Sequence, residues 1–179
     1  SGDNVIVPGG RTLPAVFDRH TGELKHFDFG GKGSGGHNVL VAGPLHVVNN
    51  LVTRTEDGAE VGSLFASIVV DGQLVGTEAG GKSVVMTSVA GDFKDVTGKD
   101  RRGREFIRTV FTPESTSGFT PAVPGDIFLQ AGSHLYLAKD GKIAVYDTEN
   151  AANQKDAVDP VSTLSVPGSV ASLVTADAR

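Results

Sequence analysis

The sequence predicts an all-β fold, and three observations carry that prediction. The first is a pair of matching segments. Near the N-terminus the chain reads Val5-Ile6-Val7-Pro8-Gly9-Gly10, then Ala15-Val16-Phe17-Asp18-Arg19-His20-Thr21-Gly22. Near the C-terminus it reads His134-Leu135-Tyr136-Leu137-Ala138-Lys139-Asp140-Gly141, then Ala144-Val145-Tyr146-Asp147-Thr148-Glu149. Each is a short apolar strand, a glycine turn, a second strand ending in Ala-Val-aromatic-Asp, and a polar turn. Second, 24 Gly and 8 Pro punctuate runs rich in Val, a composition that favours strands over helices. Third, no long window carries the i, i+3, i+4, i+7 apolar stripe of an amphipathic helix. Phe17 and Tyr146 stand three periods of about 43 residues apart, and a strand-only period of that size points to β-propeller-type antiparallel blades. The expected architecture is about four such blades in a single propeller-type domain over residues 1–179, or in part of a larger propeller.

Alternation and turn residues place the strands in four groups. Residues 4–8, 13–18 and 23–29 form the first, followed by the glycine-rich connection Gly30 to Gly36. The second holds 38–42, 45–49, 51–55 and 60–65, with turns at Gly43-Pro44 and Asp57-Gly58. The third holds 67–71, 73–77, 82–89 and 104–111, with Asp71-Gly72 as a hairpin signal and a long polar insertion over 91–103. The fourth holds 126–131, 134–138, 142–147 and 161–166, and the polar stretch 149–160 has room for one short helical turn. Residues 169–177 read as the strand that opens a further blade, and the chain begins at Asp3-Asn4-Val5 as though that strand were missing. One blade completed by both termini, within one chain or between two, would remove an open sheet edge.

Composition bounds the function. Net charge is −5 and the chain has no Cys, which excludes disulfides, thiolate metal sites and cysteine nucleophiles. An acidic chain does not make a general nucleic-acid surface. Its one basic cluster, Lys99, Arg101, Arg102, Arg104 and Arg108, is interrupted by Asp100 and Glu105 and reads as a solvated hairpin. No apolar run approaches the length of about 18 residues that spans a membrane. The Ser1-Gly2 start reads as a cloning remnant or an excised segment, so the lack of a leader says little.

The motifs that could carry chemistry resolve into turns. Gly76-Thr77-Glu78-Ala79-Gly80-Gly81-Lys82-Ser83 matches the phosphate-loop pattern, which needs a helix behind it to face the anion. Here the following residues are Val84-Val85-Met86-Thr87-Ser88-Val89, a strand, so a hairpin turn is expected. His20, His26, His37, His46 and His134 lack ligand spacing and read as exposed or hydrogen-bonded. Asp57-Gly58, Asp71-Gly72 and Asp140-Gly141 lack the acidic density of a calcium loop and read as turns. No nucleophile elbow occurs, and Ser34 belongs to the glycine linker. No catalytic, cofactor-binding or metal residue is nominated.

Leu135-Tyr136-Leu137, Asp140-Gly141 and Ala144-Val145-Tyr146-Asp147, with Val16-Phe17-Asp18-Arg19-His20-Thr21-Gly22-Glu23-Leu24, resemble the quinoprotein-like (PQQ-type) propeller repeat. That repeat commonly sets a Trp after Thr-Gly-Glu-x. This chain has none, and His26 or Phe27 occupies the region. The vicinal disulfide and stacking Trp of the family's quinone enzymes are likewise impossible here. The resemblance therefore implies a non-catalytic binding or scaffold module without a cofactor, presenting loops to a protein or carbohydrate partner. The alternative is a cofactor-binding segment of a quinoprotein-like enzyme. The resemblance also implies a periplasmic or extracellular setting. Self-association by exchange of the terminal strands is the expected mode of assembly.

Overall fold

The structure is a computed structural model that describes residues 3–9, 12–27, 39–48, 50–78, 81–152 and 154–170. It is all-β, with α1 (Thr148–Ala151) as the one helix among the described residues. Four antiparallel sheets follow one another along the chain. The first is β1 (Asn4–Gly9), β2 (Thr12–Asp18) and β3 (Leu24–His26), paired in that order. The second is β4 (Leu40–Ala42), β5 (Leu45–Val48), β6 (Leu51–Arg54) and β7 (Glu60–Ser63), again in chain order.

The third sheet runs β8 (Ile68–Val70), β9 (Gln73–Glu78), β10 (Ser83–Ser88) and then β13 (Thr116–Pro121). Between β10 and β13 the chain leaves the sheet as a separate two-stranded arm, β11 (Gly91–Lys99) and β12 (Glu105–Pro113). The fourth sheet is β14 (Asp126–Ala131), β15 (His134–Lys139), β16 (Lys142–Asp147) and β18 (Ser162–Ser165). On the way to β18 the chain forms α1, capped by the Asp147 carboxylate on the N–H groups of Glu149 and Asn150. It then forms β17 (Ala157–Val158), which returns to the third sheet and pairs parallel to β13.

Two expectations need correction. The stretch 91–103 is not a polar insertion but a strand and a hairpin turn, paired residue for residue with β12 from Gly91↔Pro113 to Lys99↔Glu105. The segment 104–111 is not the fourth strand of the third sheet. β13 takes that place against β10, where Gly118 lets the Val84 carbonyl approach; a Cβ at Gly118 would sit 2.3 Å from it. The one helical turn expected within 149–160 is present as α1. The expected opening strand 169–177 falls mostly on residues 171–179, outside the described residues, as do the linker Gly30 to Gly36 and His37.

Strand alternation builds the core. On β9, Leu74 and Val75 are both fully buried and point to opposite faces. Val75, with Val84, Met86 and Phe119, packs on Leu135, Leu137, Ala144 and Tyr146 of the fourth sheet. Leu74 packs on Ala42, Leu45, Val47 and Val52 of the second, where Phe111 joins from the arm. The third sheet is thus covered on both faces, sheet upon sheet. The first strands of these three sheets lie together, β4 touching β8 and β8 touching β14. The first sheet meets the second through Asn4, whose Nδ2 donates to Thr55 O at 2.7 Å, and through His26, which lies against Gly58.

The sequence match extends into register. Val5↔Phe17 and Val7↔Ala15 in the first sheet correspond to Leu135↔Tyr146 and Leu137↔Ala144 in the fourth. So β1 and β2 stand where β15 and β16 stand. The environments differ. Leu135, Leu137, Ala144 and Tyr146 are buried, whereas Val5 and Val7 are 45% and 46% exposed.

Candidate functional site

The arm and the cleft at its foot are the part of the molecule least explained by the core. β11 and β12 form a hairpin of two nine-residue strands whose foot is anchored by aromatic packing. The Phe93 and Phe111 rings lie 5.6 Å apart and tilted, and the Arg54 guanidinium sits 5.4 Å from the Phe93 centroid. Arg54 is itself fixed by a two-pronged ion pair with Asp57, which holds that carboxyl below its usual range and raises the guanidinium.

The tip is a tight turn. Asp100 N–H donates to Arg104 O, and Gly103 N–H returns to Asp100 O with Gly103 at φ +77°. The Asp100 carboxylate accepts from the N–H groups of Arg102 and Arg104 and from the Arg104 guanidinium, which lowers its pKa. Lys99 lies 3.5 Å from Glu105. Among the described residues no carboxylate pairs with Arg101, Arg102 or Arg108. The basic cluster singled out in the sequence therefore sits on a hairpin, as expected, with three cations unmatched.

Apolar side chains accompany them. Ile107 is 72% exposed, and Val96 and Phe106 also face solvent. The Phe106 ring lies over Gly98, where an added Cβ would meet it at 2.6 Å. Between the foot of the arm and the edge of the second sheet runs a cleft of about 550 Å³, lined by Glu60 to Ser63 of β7 and Arg108 to Val110 of β12. No local sequence signal joins those two segments; only the fold of the arm brings them face to face.

The other residues noted in the sequence are dispersed. Gly76 lies within β9 and Lys82 in the turn to β10, with Ser83 opposite Glu78, so the phosphate-loop pattern is a hairpin. Gly76 is required for another reason: its Cβ would come within 2.4 Å of the Phe65 backbone, which crosses β9 there. Asp71 and Asp140 adopt φ +47° and +49°, each followed by a Gly at positive φ, as a two-residue hairpin turn demands. His20 is exposed, its Nε2 3.1 Å from Asp3 Oδ1, and His134 is exposed at the start of β15. His46 overturns its expectation. It is fully buried, opposite Thr53, and among the described residues neither its ring nitrogens nor Thr53 Oγ1 has a hydrogen-bond partner. Burial pushes its pKa down to about 4. Among the described residues no group of three His, Asp or Glu side chains could hold a metal ion, and no helix is long and apolar enough to cross a membrane.

No protein family, curated protein or solved structure matches the chain. The functional reading rests on the geometry.

Proposed function

We propose that this chain is a non-catalytic scaffold, an arc of propeller-type blades that carries the β11–β12 arm to a protein partner. The observation that supports the blade reading is the stacking of three successive antiparallel meanders face to face, with their first strands β4, β8 and β14 side by side. The first sheet continues the series. Its outer face, Val5, Val7 and Leu24, corresponds in register to the face that β15 and β16 bury, so it is a surface on which a further sheet of the same kind stacks.

The arm supports the binding reading. It projects Ile107, Phe106 and Val96 beside Arg101, Arg102 and Arg108, on a chain whose net charge is −5. Exposed aromatic and aliphatic groups flanked by arginine are the composition of interface hot spots. Guanidiniums at the tip stand in front of the apolar groups, so insertion into lipid would bury charge first; an acidic protein surface with an apolar centre fits better.

A photoreactive side chain introduced at Ile107 should cross-link a discrete partner in extracts of the native cell, and one at Val161, also exposed, should not. Equal labelling from both positions would remove the arm from the reading. A saturable absorbance change on adding pyrroloquinoline quinone with calcium would support the quinoprotein-like enzyme instead.

A further inference from the structure

β11 is a sheet edge left open along the whole arm. It pairs with β12 on one side, and among the described residues no backbone hydrogen bond leaves its other side. The orientation of its backbone follows from the turn. Asp100 N–H donates to Arg104 O, so the N–H and C=O of Asp100 face β12. Successive residues alternate, which turns those of Asp95, Thr97 and Lys99 outward into solvent. Open edges of this length are templates for another strand.

We propose that two copies of this chain associate through this edge, β11 against antiparallel β11, to form one four-stranded sheet in the order β12-β11-β11-β12. It goes beyond the scaffold reading and does not depend on it. A two-fold axis normal to the sheet keeps each face on its own side, so only residues of like parity can stand opposite each other. Centring the axis on Asp95 or Lys94 sets like charges opposite, and centring it on Val96 leaves Lys94 and Lys99 facing no carboxylate. Centring it on Thr97 sets Asp95 opposite Lys99 of the second copy, twice, with Thr97 opposite Thr97.

In that register the rows across the four strands are complementary. One face reads Glu105, Lys99, then Asp95 and Thr109 of the second copy, an extension of the Lys99–Glu105 pair and the Thr109 Oγ1 to Asp95 bond of 2.8 Å already present within each arm. The axial row reads Ile107, Thr97, Thr97, Ile107. The other face sets Gly98, beneath the Phe106 ring, beside Val96 of the second copy, covering two apolar groups that are exposed in one chain alone. The paired residues are those whose backbone groups point outward. Each tip, with Arg101 and Arg102, is carried toward Asp92 of the other copy.

Sedimentation velocity of the full chain between about 1 and 300 μM should reveal a concentration-dependent dimer. Thr97→Pro removes one outward N–H and leaves the β12 ladder intact; it should weaken the dimer at least about tenfold. Asp95→Lys and Lys99→Asp should each do the same, and the double exchange should restore association, because the opposed pairs are re-formed with reversed sign. The chain has no Cys, so Thr97→Cys places one thiol per copy on the axis and should form a disulfide-linked dimer under mild oxidation, while Lys94→Cys should not. A chain that stays monomeric throughout that range overturns the proposal. So does a dimer indifferent to Thr97→Pro and to the charge exchange, or equal cross-linking from both cysteines.

Discussion

At neutral pH the His46 ring is held uncharged in the interior, and this makes stability depend on pH in a defined direction. Its ordinary pKa of 6.5 falls to about 4 in the fold because burial disfavours the charged form. Between those values the unfolded chain binds a proton that the folded chain refuses. The stabilisation is complete above about pH 6.5, is lost progressively as pH falls toward about 4, and amounts to about 3 kcal/mol at most. Below that, the carboxylates of Asp18, Asp57 and Asp100, whose pKa values are lowered by hydrogen bonds and ion pairs, add a loss of their own. His46→Leu should flatten the upper window and leave the lower one. Urea midpoints measured from pH 7 to about pH 2.5 test this, and an unchanged slope above about pH 4 in the variant assigns the effect elsewhere. Tyr146 is the second residue of this kind. Its hydroxyl accepts from Val123 N–H at 2.9 Å and donates to Val123 O at 3.1 Å, deep in the core beside Phe119. Tyr146→Phe leaves both backbone groups without a partner and should cost about 1–3 kcal/mol, read as a lower denaturation midpoint.

Among the elements, the β9–β10 hairpin separates a structural glycine from a nucleotide site. Gly76→Ala drives a methyl into the Phe65 backbone and should destabilise by about 1–3 kcal/mol. Lys82→Ala, on the exposed turn, should leave the melting temperature unchanged. It should also show no ATP affinity to lose, since a strand rather than a helix N-terminus follows it. Micromolar nucleotide binding that disappears in Lys82→Ala, measured by calorimetry, would reverse this assignment. The strands read from sequence were those with apolar alternation or β-branched runs flanked by Gly, such as β5, β9, β15 and β16. β11 was not legible, because Asp92, Lys94 and Asp95 break any alternation and its ladder partner among the described residues is β12, itself part of the arm. The fourth strand of the third sheet was misplaced for a related reason. Hydrophobic pattern marks a segment as a strand but does not name its neighbour, and Phe106 to Phe111 is more strand-like than Thr116 to Pro121.

For the whole molecule, the decisive feature is the unequal fate of equivalent faces. The apolar face of β15 and β16 is covered by the third sheet, while Val5, Val7 and Leu24 of the first sheet remain open. Such a patch should bind an environment-sensitive apolar dye in the native state. Val7→Lys with Leu24→Lys should abolish that fluorescence with little change in unfolding midpoint, and persistent fluorescence would place the dye elsewhere.

The sequence by itself determined the all-β class, the Asp-Gly turns and the correspondence of β1–β2 with β15–β16, because periodicity and turn chemistry are local. Tertiary structure alone decided that β12 leaves its sheet to pair with β11, that β17 returns to β13, and that Glu60 to Ser63 and Arg108 to Val110 line one cleft. It also decided that His46 is buried, with no hydrogen-bond partner among the described residues. Each of these joins segments distant in sequence, where the free energy lies in burial and strand pairing between them rather than in either segment alone.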